Sequence, residues 1–131
     1  MDYIADAVNE IKKNDSRLAA IIDQIGPCSL NRRVQGFSSL VHSIISQQLS
    51  KSSAQAIRSR FEALFDDSII DPDRLMQISD AELRKMGLSK MKVEYLRSLA
   101  HHIQSGKINF FDLEKMDEET VISTLIQVKG I

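Results

Sequence analysis

Tryptophan is absent from this sequence, phenylalanine and tyrosine together supply 5% of it, and there is a single cysteine. The lone Cys28 excludes an internal disulfide and suits a reducing compartment. No Cys or His stands near it at metal-ligand spacing, so a small, semi-buried side chain is its expected role. No stretch approaches the roughly 20 apolar residues that span a bilayer, so no membrane association is expected. The opening residues Met1-Asp2-Tyr3-Ile4-Ala5-Asp6 carry acids where a signal peptide carries bases, so a cytoplasmic protein is expected. Runs of alternating β-branched residues are missing, which argues against a sheet. There is no glycine-rich phosphate loop, Walker pattern or zinc spacing, and neither a metal nor a cofactor is expected.

What is present is a chain of 131 residues, 43% hydrophobic and 27% charged, enough for one domain with a core. The net charge of −1 argues against a general nucleic-acid binder. The charges are unevenly placed: residues 32–107 hold twelve bases and eight acids, while the segments on either side are acidic. A local footprint for a polyanion and a solvated helical surface would both look like this.

Helix punctuation runs throughout. Asp2 is placed to cap a first helix with Ile4, Val8 and Ile11 on one face. Asp15 is placed to cap a second, with Leu18, Ile21, Ile22 and Ile25 inward and Gly26-Pro27 as its stop. A polar connection from Ser29 to Gln35 leads to a third helix, from about Gly36 to Gln47. Its apolar stripe is Phe37, Leu40, Val41, Ile44 and Ile45. Ser39, Ser43 and Ser46, with His42 beside them, form a small-residue face on which a neighbour could pack closely. Ser50 opens a fourth helix with Ala54, Ile57, Phe61, Leu64 and Phe65 inward. Asp71-Pro72 starts a short helix, and Ser79-Asp80-Ala81-Glu82 reads as a capping box closed by Gly87. Ser89 caps a longer helix with Val93, Leu96, Ala100 and Ile103 on one face. Asn109 opens one more turn, and Asp117 a last helix with Val121, Ile122, Leu125 and Ile126 inward. The fold class expected is all-α, a multi-helix bundle in one unit over residues 1–131.

Catalytic chemistry is scarce. The acid pairs Asp66-Asp67 and Glu118-Glu119 are adjacent in sequence, so on a helix they diverge by about 100° and read as solvated helix-end charges. His101-His102 cannot jointly face one metal in a regular helix, and the isolated His42 reads as a packed or surface histidine.

Two longer stretches say more. The run Phe37-Ser38-Ser39-Leu40-Val41-His42-Ser43-Ile44-Ile45-Ser46-Gln47-Gln48-Leu49-Ser50, followed by Ala54, Ile57 and Arg60-Phe61, resembles the helix–loop–helix of the 3-methyladenine DNA glycosylase II family, in the helix-hairpin-helix superfamily. The run Leu83-Arg84-Lys85-Met86-Gly87-Leu88-Ser89-Lys90-Met91-Lys92-Val93-Glu94-Tyr95-Leu96 is similar to that family's Gly-Leu-Ser, Lys, Tyr-Leu segment. Val128-Lys129-Gly130-Ile131 resembles the first half of its hairpin. The three occur in the family's order, and the resemblance covers nearly the whole chain from about Asp15.

The resemblance implies a compact all-helical protein that bends duplex DNA, inserts a side chain and rotates a damaged base into a pocket. By position in the family, Gln48 is the residue that enters the duplex; residue chemistry alone favours a glutamine that merely ends a helix and bonds a nearby carbonyl. Ser50 and Lys51 sit at a helix N-terminus suited to phosphate, although capping alone explains Ser50. Lys129 and Gly130 would meet the backbone of the partner, double-stranded DNA with a damaged base; a disordered end is the alternative.

The resemblance puts the catalytic aspartate beyond the hairpin, so no catalytic residue is assigned in this chain, which reads as a glycosylase domain truncated there. Little here could stack on a base. The expected function is base-excision repair of alkylated purines, with catalysis outside these residues. The alternatives are a non-enzymatic helical DNA-binding or protein-interaction module, and an inactive relic. Apolar residues of the last helix that would meet the rest of such a domain imply a homodimer.

Overall fold

The computed structural model describes residues 3–30 and 36–131. The expected cap at Asp2 and most of the connection ending at Gln35 lie outside the described residues. Among the described residues there are only helices, turns and loops. The chain divides into two compact units, Met1–Arg33 and Val34–Ile131.

The first unit is a pair of packed helices, α1 (Tyr3–Asn14) and α2 (Ser16–Ile25). Asp15 caps α2 as the sequence indicates, accepting hydrogen bonds from the amides of Arg17 (2.8 Å) and Leu18 (3.0 Å). Gly26 ends it by donating to the Ile22 carbonyl. Lys12 on α1 pairs with Asp23 on α2. The inward face expected for α2 is corrected: Leu18, Ile21 and Ile25 are exposed, and α2 buries no residue. Within its unit α2 has one neighbour, which covers one side of the stripe. Cys28 is exposed as well, not semi-buried, in the irregular segment after α2.

The second unit is a helical bundle. In order it comprises α3 (Phe37–Ser46), α4 (Lys51–Glu62), a 3-10 turn (Asp66–Ser68), α5 (Pro72–Gln77), α6 (Asp80–Lys85), α7 (Lys90–Gln104), α8 (Phe110–Leu113) and α9 (Glu118–Leu125). Local sequence chemistry sets nearly every start. The side chains of Ser50, Asp71, Ser79, Ser89, Asn109 and Asp117 each accept a backbone amide of the turn they open, and Ser79 and Glu82 complete a reciprocal capping box.

The longest helix, α7, is the axis on which α3, α5 and α6 pack. Its Val93, Leu96, Leu99 and Ala100 meet Phe37, Val41, Ile44 and Ile45 of α3, Phe61 of α4, Leu75 of α5 and Leu83 of α6 in one core. Arg97 of α7 reaches across to the carbonyls of Leu75 and Ile78 and to Asp80, tying the end of α5 and the start of α6 to the axis. Arg60 of α4 donates to the Met86 carbonyl (3.1 Å) at the turn between α6 and α7. Gly87 in that turn has φ +105°, and a Cβ there would stand 3.0 Å from Ile57 of α4.

α3 packs on α4, while Ser43 of the small-residue face is exposed and donates to the Ser39 carbonyl of its own helix at 2.9 Å. His42 lies between Arg58 (Nδ1 at 3.1 Å) and Glu62 (Nε2 at 2.8 Å), a polar seam between two packed helices. On α9 the expected inward face is again only half covered: Val121 and Leu125 are partly buried, whereas Ile122 and Ile126 are exposed. The acid pairs are exposed, as their reading as solvated charges requires. Asp67 and Ser68 adopt positive φ in the 3-10 turn, and Glu118-Glu119 occupy the first turn of α9. Among the described residues no group of His, Cys, Asp or Glu is arranged to hold a metal, and no helix is long and apolar enough to cross a membrane.

Candidate nucleic-acid interface

α3 ends because its chain turns sharply after Ser46. Gln47 takes φ −54° and ψ 131°, Gln48 takes φ +57°, and the Leu49 amide bonds the Ser46 carbonyl at 3.2 Å. These are the marks of a type II β-turn over residues 46–49, with Gln48 where glycine or asparagine normally sits. A non-glycine residue in this region costs on the order of 1 kcal/mol or more, and such strain persists only where the surroundings hold it. The Gln48 side chain is exposed at the tip.

The surroundings that hold it come from far along the chain. Lys92, in the first turn of α7, extends its ammonium to the carbonyls of Ile45 (2.6 Å) and Gln47 (2.8 Å). Partial burial of that ammonium pushes its pKa below the usual lysine value. The Gln47 side-chain amide donates to the Gly130 carbonyl at 2.7 Å. The residues 128–130 are seated against α7: Val128 is buried, the Lys129 amide donates to Ser98 Oγ at 3.2 Å, and Gly130 (φ +88°) lies flat on the Tyr95 ring. A Cβ at Gly130 would stand 2.3 Å from Tyr95 Cδ2, so only glycine fits. Between the turn and α7 opens a cavity of about 350 Å³ lined by Gln47, Gln48, Ser89, Met91, Lys92 and Tyr95.

The structure therefore brings together two regions that the sequence offered separately, the Gln48 turn and the Lys129-Gly130 segment. Ser50 and Lys51 follow the turn directly. Ser50 Oγ accepts the Ser53 amide at 3.3 Å and lies within 3.0 Å of Ser53 Oγ, and Lys51 is exposed beside it in the first turn of α4. An exposed helix start with a serine cluster and a lysine is chemically suited to a phosphate. The residues that sequence reasoning passed over are Lys92, Gln47 and Tyr95. Lys92 and Tyr95 both stood inside the Gly-Leu-Ser, Lys, Tyr-Leu segment, so that motif was the available signal.

With this geometry in place, comparison with known proteins is specific. Residues 41–127 match the family model described as HhH-GPD superfamily base excision DNA repair protein. A DNA-3-methyladenine glycosylase of Saccharomyces cerevisiae is 35% identical over 108 residues, covering 72% of this chain and 35% of that one. Among solved structures, a DNA-3-methyladenine glycosidase from Bacillus halodurans superposes with a TM-score of 0.78 at 41% identity, over 91% of this chain and 55% of that one. A 3-methyladenine DNA glycosylase of Schizosaccharomyces pombe, in complex with abasic DNA, superposes with a TM-score of 0.81 at 27% identity, over 89% of this chain and 59% of that one. The chain thus spans between about a third and three fifths of the length of the curated relatives it matches. The all-helical fold is theirs over that span, and the chain belongs to the HhH-GPD superfamily of base excision DNA repair proteins.

Proposed function

We propose that these residues form the DNA-engaging part of a base-excision glycosylase that acts on alkylated purines of the 3-methyladenine type. The observation that carries this reading is the exposed, strained Gln48 at the tip of a turn clamped from two sides. An amide held at such a tip can fill the space left by an extruded base and hydrogen-bond to the orphaned partner. Ser50 and Lys51 engage a phosphate on one side of the insertion point, and Lys129 with the Gly130 backbone engages another. The relative solved with abasic DNA supports DNA as the partner, and the single exposed cysteine suits a cytoplasmic setting.

Hydrolysis of the N-glycosidic bond is assigned to an aspartate beyond the hairpin, a position that these 131 residues do not include. The chain by itself is expected to release no base from alkylated duplex DNA; measurable release of 3-methyladenine would overturn that assignment. Binding is the direct test of the engaged part. The chain should prefer a duplex containing a stable abasic analogue over the intact duplex, and Gln48→Ala or Lys51→Ala should reduce affinity about three- to thirtyfold. Unchanged affinity in both variants would remove the reading. The exposed Ile122 and Ile126 support the self-association anticipated from the sequence; a monomer mass at micromolar concentration would contradict it.

A further inference from the structure

We propose that Lys92, assisted by the side chain of Gln47, is a positioning residue that fixes the orientation of one peptide plane and so presents Gln48 to DNA ready aimed. The inference rests on the reading that Gln48 enters the duplex, and it names what sets Gln48 for that role.

The two common forms of a β-turn, type I and type II, differ chiefly in which way the peptide between their central residues faces. Here that peptide joins Gln47 to Gln48, and its carbonyl oxygen is one of the two that Lys92 holds, at 2.8 Å. The second, Ile45 O at 2.6 Å, belongs to the last turn of α3 and anchors the ammonium to the helix. A flip of the central peptide would carry Gln47 O away from the ammonium and leave a partly buried charge without one of its acceptors. The ammonium therefore favours the type II form, and that form forces Gln48 to positive φ. Without it, a glutamine would relax to the type I form, in which no residue needs positive φ.

The Gln47 side chain adds a second restraint. Its amide bonds Gly130 O at 2.7 Å, and Gly130 is itself pressed on Tyr95, one helical turn along α7 from Lys92. The residue before the tip is thus held through its main chain by α7 and through its side chain by residue 130. Capping of the α3 carbonyls alone would explain a bond to Ile45 O; it does not explain the bond to the turn's own central peptide.

The test combines a conformational readout with a double-mutant cycle on the full 131-residue chain, using a duplex with a stable abasic analogue and its intact counterpart as probes. In the free protein, Gln48 should show the strong intraresidue HN–Hα NOE of a positive-φ residue, and Lys92→Met should abolish it. Lys92→Met should lower the preference for the abasic duplex about five- to tenfold, comparably to Gln48→Ala. In the Gln48→Ala background it should have no further effect. Should Lys92→Met fail to fold, Gln47→Ala, which leaves the ammonium in place, carries the same cycle with a smaller loss. A Lys92→Met or Gln47→Ala effect of equal size with and without Gln48, or a retained positive-φ signature in Lys92→Met, overturns the inference while leaving the role of Gln48 standing. If Gln48→Ala itself changes nothing, the reading of Gln48 falls first, and the NOE decides whether Lys92 still sets the turn.

Discussion

Gly130 and Gln48 are both residues at positive φ, and their circumstances are opposite. Gly130 is a glycine because Tyr95 occupies the place of its side chain. That packing against Tyr95 is a second reason for glycine here, one the sequence did not indicate. Gly130→Ala combines a clash with an unfavourable φ and should lower stability by about 1–3 kcal/mol, measured by denaturant unfolding. A neutral result would mean that residues 128–130 are not seated on α7 in solution. Gln48, by contrast, is a large polar residue where glycine would be at ease, held by contacts that other residues make to its neighbours. Such a residue could be singled out from sequence only through the family resemblance, because its strain arises from partners distant in the chain. Lys92 lies 47 residues from Ile45, and Gln47 lies 83 from Gly130.

At the scale of the helices, what could be read in advance was what is local. Caps and stops depend on a few consecutive residues, so Asp15, Ser50, Asp71, Ser79, Ser89, Asn109 and Asp117 all declared themselves. The core faces of α3 and α7 were legible too, since a strong apolar stripe at helical spacing is buried whenever a neighbour covers it. Periodicity does not say whether a neighbour exists, and for that reason α2 and α9 were assigned more buried residues than they have. The cap on α9 makes a pH prediction. The Thr120 amide and hydroxyl, donating at 2.8 and 2.9 Å, hold the Asp117 carboxyl below its ordinary value of 3.8. A carboxylate depressed in the folded state stabilises the fold above its unfolded pKa and ceases to do so as pH falls through the folded value. Amide protection in the first turn of α9 should therefore be constant above pH 3.8 and decline below it, and Asp117→Asn should flatten that decline. An unaltered profile in the variant would show that the cap is not the titrating group.

For the molecule as a whole, net charge says less about a DNA partner than the placement of individual lysines does. A chain at −1 reads as indifferent to DNA, yet Lys51 borders the Gln48 turn, and Lys129 lies in the segment that the Gln47 side chain holds against it. If that local footprint carries the interaction, affinity for duplex DNA should fall as salt rises. The slope should be shallow, corresponding to about two to four phosphates in a plot of log K against log salt, and Lys51→Ala should reduce it by about one. A slope near zero would mean that the partner is not a polyanion.

The claim on which the rest depends is that Gln48 enters the duplex at a missing base. A duplex with 2-aminopurine beside a stable abasic analogue reports this directly, because the probe brightens when its stacking is disturbed. On saturation with the chain the fluorescence should rise, and on saturation with Gln48→Ala, at a concentration raised to offset weaker binding, it should stay near that of the free duplex. An equal rise with both proteins would contradict the account, since the DNA would then be opened by something other than Gln48.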